Sequence, residues 1–317
     1  MPTELIWDEK HEDRAKSSPL CIGLPFKDEE PINESPWERM SHVPMERAVG
    51  ATLHPSRKQY AVTPIPDGLA AAVAGSDAGP RWRASRLYTA NNASKNGLLQ
   101  ETRLALLAYH RVGDRAAARR ELLDGGLPQR SRATRKTIMR VISDRLDAWR
   151  PPAWAYADLV ASAESGDAQD LSLLLLLHAA RQDALLYDVV QQVAWSRWRD
   201  GITTISRVDV QRFLDDALPD HPEIDRWSLA TREKLAGNLL TILRDYGLLH
   251  GQKGHATKRI VEPVVSPWAA GHLVRLLREE GIPDLEMLVH PDWRLWLLDA
   301  DRVRTLVARI NEEDRLG

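Results

Sequence analysis

The stretch LSLLLLLHAARQDALLYDVVQQVAW, Leu171 to Trp195, constrains this chain more than any other. Its most apolar part, Leu171 to Ala180, is bounded by Asp170 and Arg181. That is much too short to cross a bilayer, which takes roughly 20 apolar residues in one helix. A helix apolar on every side avoids water only at the centre of a helical body, so the segment from about Trp154 to Trp198 reads as buried core helices. With 317 residues and 43% hydrophobic content, the chain can bury one or two such cores and divides into two to three structural units.

The formal net charge of −2 conceals a strongly uneven distribution. Residues 1–40 hold 5 basic and 10 acidic side chains, whereas residues 81–150 hold 16 basic and 6 acidic. The balance then reverses, with 5 basic and 13 acidic over 151–225, 7 and 3 over 226–268, and 7 and 10 over 269–317. Two basic blocks therefore stand in an otherwise acidic chain.

The first block lies in a helical order. An apolar face of Leu99, Leu104, Leu106, Leu107 and Tyr109 predicts one helix from Leu98 onward. A second is expected from about Asp114, as N-cap, to Leu123, ended by Asp124-Gly125-Gly126. After Leu127-Pro128 comes QRSRATRKTIMRVISDRLDAW, with Ser131 as the N-cap. At about 100° per residue, Thr134, Ile138, Val141, Ile142, Leu146 and Trp149 share one face, and Arg132, Lys136, Arg140 and Ser143 the other, with Arg135 at the edge. Arg145 falls inside the apolar stripe, either paired in the interior or extending its head group to water. Two helices followed by a basic amphipathic helix is the order of a helix-turn-helix unit, whose last helix enters the major groove. A basic helical face is commonly just solvated. Here Arg130, Arg132, Arg135, Lys136 and Arg140 fall within eleven residues with no acidic residue among them, the electrostatic footprint of phosphate binding.

The linker Arg150-Pro151-Pro152 stops that helix. Further on, Ser206 with Asp209 three residues later has the form of a capping box and opens a helix ending near Leu218-Pro219. The next helix runs from near Ser228 to about Tyr246, with Leu235, Leu239, Ile242, Leu243 and Tyr246 as its apolar stripe. Lys234, Gly237, Thr241 and Arg244 lie opposite, where Gly237 leaves the face flat enough for close approach. Gly247 supplies the left-handed stop, and LLHGQKGHATKRIVEPVV predicts two short strands around a turn from Gly251 to Thr257. Helix, helix and basic hairpin together suggest a winged helix. Its wing carries Lys253, His255, Lys258 and Arg259, placed to reach phosphates or the minor groove. Winged helices also serve protein contacts.

The organisation expected is an irregular acidic extension over 1–80, a basic helix-turn-helix-like unit over 81–152, a helical unit with a winged helix over 153–268, and C-terminal helices over 269–317. The fold class is thus mainly α, with a small β-hairpin wing. Trp7, Trp37 and Tyr60 are isolated apolar anchors in the extension, whereas Trp268, Trp293 and Trp296 read as core. The acidic N-terminus has no secretory pattern, so the chain is expected in the cytoplasm, with no membrane partner.

Signs of covalent chemistry are missing from the sequence. Cys21 is the single cysteine, which excludes an internal disulfide or a multi-thiolate zinc site, and the ten histidines lack metal-ligand spacing. There is no phosphate loop, dinucleotide-binding turn, nucleophile elbow or HExxH helix. No metal, cofactor or catalytic residue is expected.

Where YTANNASKNGLLQETRLALLAYHR leads into LLDGGLPQRSRATRKTIMRVISDRL, and DLSLLLLLHAARQDALLYDVV into WSLATREKLAGNLLTILRDYGLL, the chain resembles the BrxA family from about Arg86 to its end. These are accessory proteins of BREX bacteriophage-exclusion systems. The resemblance implies helix-turn-helix-type units that bind double-stranded DNA without catalysis, alongside other defence proteins. The residues proposed to meet phosphates are Arg130, Arg132, Arg135, Lys136 and Arg140 on one surface, and Lys234, Arg244, Lys253, His255, Lys258 and Arg259 on another. The rival readings are a dimeric transcriptional repressor, a protein-assembly adaptor and an RNA binder.

Overall fold

In the computed structural model, residues 87–94, 96–252 and 255–316 are described. The extension expected over 1–80 and Lys253 of the wing lie outside the described residues. The chain is mainly helical with one small antiparallel sheet.

Helix α1 (Leu99–Val112) ends at Gly113, whose φ of 71° a side chain rarely adopts. Asp114 caps α2 (Arg115–Glu121) by accepting from Ala117 N. This helix does not run as α-helix to Leu123: it widens into a π turn at Leu122–Gly126, closed by Gly125 at φ 140°. Ser131 caps α3 (Arg132–Asp147), with Oγ accepting from Thr134 N at 3.0 Å. The buried stripe of α3 is Ile138, Met139, Ile142, Arg145 and Leu146, followed by Trp149. Thr134 is exposed and Val141 only half-buried, contrary to the stripe expected. The capping turn stands clear of the body, and the later turns roll Met139 inward where α3 packs on the central helix.

That central helix is α5 (Ala168–Gln182), reached through α4 (Ala153–Ser165). Every residue from Asp170 to Arg181 is buried, as its composition demands, because α3, α4, α10 and the last 3-10 turn surround it. Helix α6 (Ala184–Asp188) continues through a π turn (Val189–Ala194) into α7 (Trp195–Arg199). No helix among the described residues is long and apolar enough to cross a membrane.

The next part runs β1 (Thr204–Ser206), α8 (Arg207–Asp216), a 3-10 turn (Pro222–Arg226), α9 (Leu229–Asp245), β2 (Leu249–His250) and β3 (Thr257–Ile260). The strand order is β1-β3-β2, with Ile205 opposite Lys258 and Leu249 opposite Ile260. Strand β1 adds a third strand to the two expected; three residues are too few to display alternation. Ser206 ends β1 and caps α8 in a complete capping box with Asp209, and Ser228 caps α9. Gly247, at φ 85°, turns the chain from α9 into β2.

The C-terminal part comprises α10 (Pro267–Glu279), α11 (Asp284–Met287), a 3-10 turn (Pro291–Trp296) and α12 (Ala300–Leu316). Trp293 and Trp296 are buried edge to face with centroids 5.8 Å apart. Buried polar pairs tie this part to α5. Arg181 donates to Asp292 Oδ2 from Nε at 3.0 Å and Nη2 at 2.6 Å, and also pairs with Glu280, all without exposure. Tyr187 Oη donates to the other Asp292 oxygen at 2.9 Å. Nearby, His178 and His272 place their Nε2 atoms 3.3 Å apart, and His272 Nδ1 is 2.8 Å from Asp158 Oδ2. Burial, then the charges of His272 and Arg181, hold His178 well below the ordinary histidine range.

Candidate nucleic-acid interface

On α3 the solvent face carries Lys136 and Arg140, both exposed, with Arg130 just ahead of the cap. Arg132 is 67% exposed and lies 3.3 Å from Asp124 Oδ1, an open ion pair that a phosphate can displace at little cost. Arg135 is not available in that way. Its Nε donates to Leu123 O at 2.6 Å and its Nη1 to Gln129 O at 2.6 Å and Arg130 O at 3.3 Å. Its guanidinium closes the turn between α2 and α3, satisfying carbonyls that the irregular backbone leaves without partners.

Arg145 resolves to the paired alternative. At 6% exposure it donates to Gly97 O at 2.9 Å, Asn96 O at 2.9 Å and Asn92 Oδ1 at 3.0 Å. The segment it holds, with the 3-10 turn Asn91–Ser94, packs against α9. Tyr246 Oη also donates to Gly97 O at 2.9 Å, and Gly97 N donates to Asp245 Oδ2 at 3.1 Å. One strap thus joins α3 to the end of α9. Beside it Asn92 Nδ2 donates to Asp183 Oδ2 at 2.7 Å, and burial pushes the Asp183 carboxyl up to about 6 against hydrogen bonding and the Arg145 charge.

On α9, Lys234 is exposed, while Arg244 is partly buried and held by Asp245 Oδ1 at 2.6 Å. Thr241, expected opposite the apolar stripe, is buried and donates to Gly237 O at 3.0 Å. Gly237 does permit a close approach, but by the chain itself: a Cβ there would lie 3.3 Å from Arg207 Cδ. His255, just before β3, and Arg259 within it are exposed. Lys258 is only 3% exposed and donates from Nζ to Gln252 O at 2.8 Å and His255 O at 3.4 Å. Expected to reach phosphate, it is instead turned inward opposite Ile205 by the alternation along β3, with its ammonium on those two carbonyls.

Residues 86–276 match the family model for BrxA. The chain belongs to the BrxA family. Membership implies a component of a BREX defence system. A search of curated proteins found no match. The BrxA match spans α1 to α9, the whole sheet and most of α10, so both basic surfaces fall within it. One exposed cation in this BrxA chain escaped the sequence reading. Arg207 opens α8 beside the wing, yet it lies in the acidic block 151–225, where counting charge by segment hides it. The Ser206 capping box was the local signal that could have placed it.

Proposed function

We propose that this BrxA-family chain is a non-catalytic, double-stranded-DNA-binding subunit of a BREX defence system. On this reading β1, α8, α9, β2 and β3 are a winged helix, with α9 as the groove-facing helix and the Gly251–Thr257 turn as the wing. The preceding α1 to α3 unit supplies a second contact surface. The observation that carries the reading is the order β1-α8-α9-β2-β3 with sheet order β1-β3-β2, bordered by exposed Lys234, His255 and Arg259. Exposed Arg130, Lys136 and Arg140 on the first unit, which make no ion pair among the described residues, support it.

The test is a mobility-shift titration against unrelated duplex DNA, single-stranded DNA and RNA of equal length at two salt concentrations. Salt-sensitive binding that prefers duplex across unrelated sequences supports the proposal. Discrimination of about a thousandfold or more for one site would favour a repressor.

A second reading, an adaptor gripping other defence proteins, draws on a different observation. Val208 and Leu229 are 59% and 71% exposed. They line a groove of about 350 Å³ between α8 and α9 with Leu214, Arg212 and Arg232. Absence of binding to all three nucleic acids would favour it.

A further inference from the structure

The base of the wing gathers cations from three elements: Arg207 opens α8, Arg244 stands near the end of α9, and Lys258 is central in β3. The sheet brings them together. Ser206 is opposite Thr257, and Arg207 N donates to Ala256 O at 3.0 Å, which seats the first turn of α8 against the wing. The Arg207 stem lies over Gly237, where the missing side chain on α9 leaves room for it. Lys258 is buried, its ammonium donating to the carbonyls of Gln252 and His255.

Compensation for this charge is sparse. Burial, then the charges of Arg244 and Arg207, hold the Lys258 ammonium below the ordinary lysine range, and among the described residues Asp245 acts the other way. That carboxylate is already divided between Arg244 at 2.6 Å and Gly97 N at 3.1 Å. The exposed Arg207 guanidinium makes no ion pair or hydrogen bond among the described residues. Like charges brought near one another repel, and an anion relieves that cost.

We propose that Arg207, Arg244 and Lys258 form a seat for one backbone phosphodiester of DNA, with Arg207 making the contact and Lys258 holding the wing turn beside it. The inference rests on the DNA-binding reading above and adds to it a contact that no segment charge reveals. A guanidinium fork matches two phosphate oxygens, and a backbone contact of this kind strengthens binding without reading bases.

The experiment uses the full chain, a fluorescently labelled duplex and a salt series, with Arg207→Met, which keeps the stem over Gly237, and Arg207→Lys, which restores the charge. Arg207→Met is expected to weaken binding about tenfold on unrelated sequences. It should also lower the salt slope by about one, with an unchanged unfolding midpoint. Arg207→Lys should recover the slope. Wild-type binding together with unchanged affinity and slope in Arg207→Met overturns the seat and leaves the DNA reading standing. Failure of the wild type to bind duplex at any salt removes both. Inorganic phosphate separates the sources: if it raises the unfolding midpoint of the wild type but not of Arg207→Met, while duplex affinity is the same in both, the seat takes free phosphate and the DNA assignment is overturned.

Discussion

Arg145 Nη1 donates to the carbonyl oxygen of Gly97 at 2.9 Å inside the protein, and Tyr246 Oη donates to that same oxygen. The contact makes a residue of the first basic helix a structural partner of the second basic unit. It also accounts for a charged side chain in an apolar stripe, because the guanidinium is the donor set for a strap of backbone and amide oxygens.

Replacing Arg145 by Met keeps the volume and leaves those acceptors buried without donors. The expected loss is about 3 kcal/mol of unfolding free energy, since each orphaned group costs roughly 1–3 kcal/mol. Gly97→Ala should loosen the same strap, because its Cβ would fall 2.7 Å from Asp245 Cβ. Urea titrations of both variants measure this. A loss below about 1 kcal/mol for Arg145→Met would remove the strap from the account of stability.

Asp183 should make stability depend on pH in a defined window. Its carboxyl is at about 6 in the fold against an ordinary 3.8, so the folded state holds the proton more tightly. The contribution is therefore fully present below about pH 4 and is lost as pH rises through about 6, an effect of roughly 3 kcal/mol at 1.36 kcal/mol per pH unit. Asp183→Ser keeps a capping oxygen for Leu186 N and removes the titration. Unfolding curves from pH 4 to about 7 should show the wild type losing stability relative to this variant; parallel curves would contradict the assignment.

The Arg181 cluster has the opposite sign. Although burial alone would raise it, the Arg181 charge and its neighbours hold Asp292 below the ordinary carboxylate range. Its contribution is present above about pH 4 and fades as acid protonates it. Arg181→Leu strands two buried carboxylates and should cost about 3–5 kcal/mol. Thermal unfolding near neutral pH is the measurement, and a midpoint within a degree or so of wild type would show that solvent reaches the pair.

Two kinds of arginine on one helix should separate by assay. Reversing charge at Arg132, Lys136 and Arg140 together is expected to abolish most duplex binding and leave the unfolding midpoint near wild type, because all three are exposed. Arg135→Ala should instead lower the midpoint, through a loss of roughly 1–3 kcal/mol of unfolding free energy, since it frees the carbonyls of Leu123, Gln129 and Arg130. Full DNA binding by the triple variant would sink the first basic surface.

Much of the fold was legible because its signals act over a few residues. Ser131, Ser206 with Asp209, Ser228 and Gly247 mark element ends through hydrogen bonds or backbone angles that close within one turn. The apolar run in α5 announced its own burial. The site was less legible, because a basic side chain in a string of residues has no stated partner. Arg135 and Lys258 looked equivalent to Lys136 and Arg259, and the difference lies in which carbonyls the folded backbone turns toward them.

By itself, then, the amino-acid sequence determined the helical class, the positions of the caps, the buried central helix and the two basic blocks, all consequences of periodicity and local chemistry. Only the tertiary structure decided that β1 pairs with β3, that Arg145 braces the strap against α9, and that Arg207 N meets Ala256 O while Lys258 turns inward onto the Gln252 carbonyl. Most of those contacts join residues far apart in the chain, and their partners are chosen by packing and by the need to satisfy every buried polar group, which no local pattern encodes.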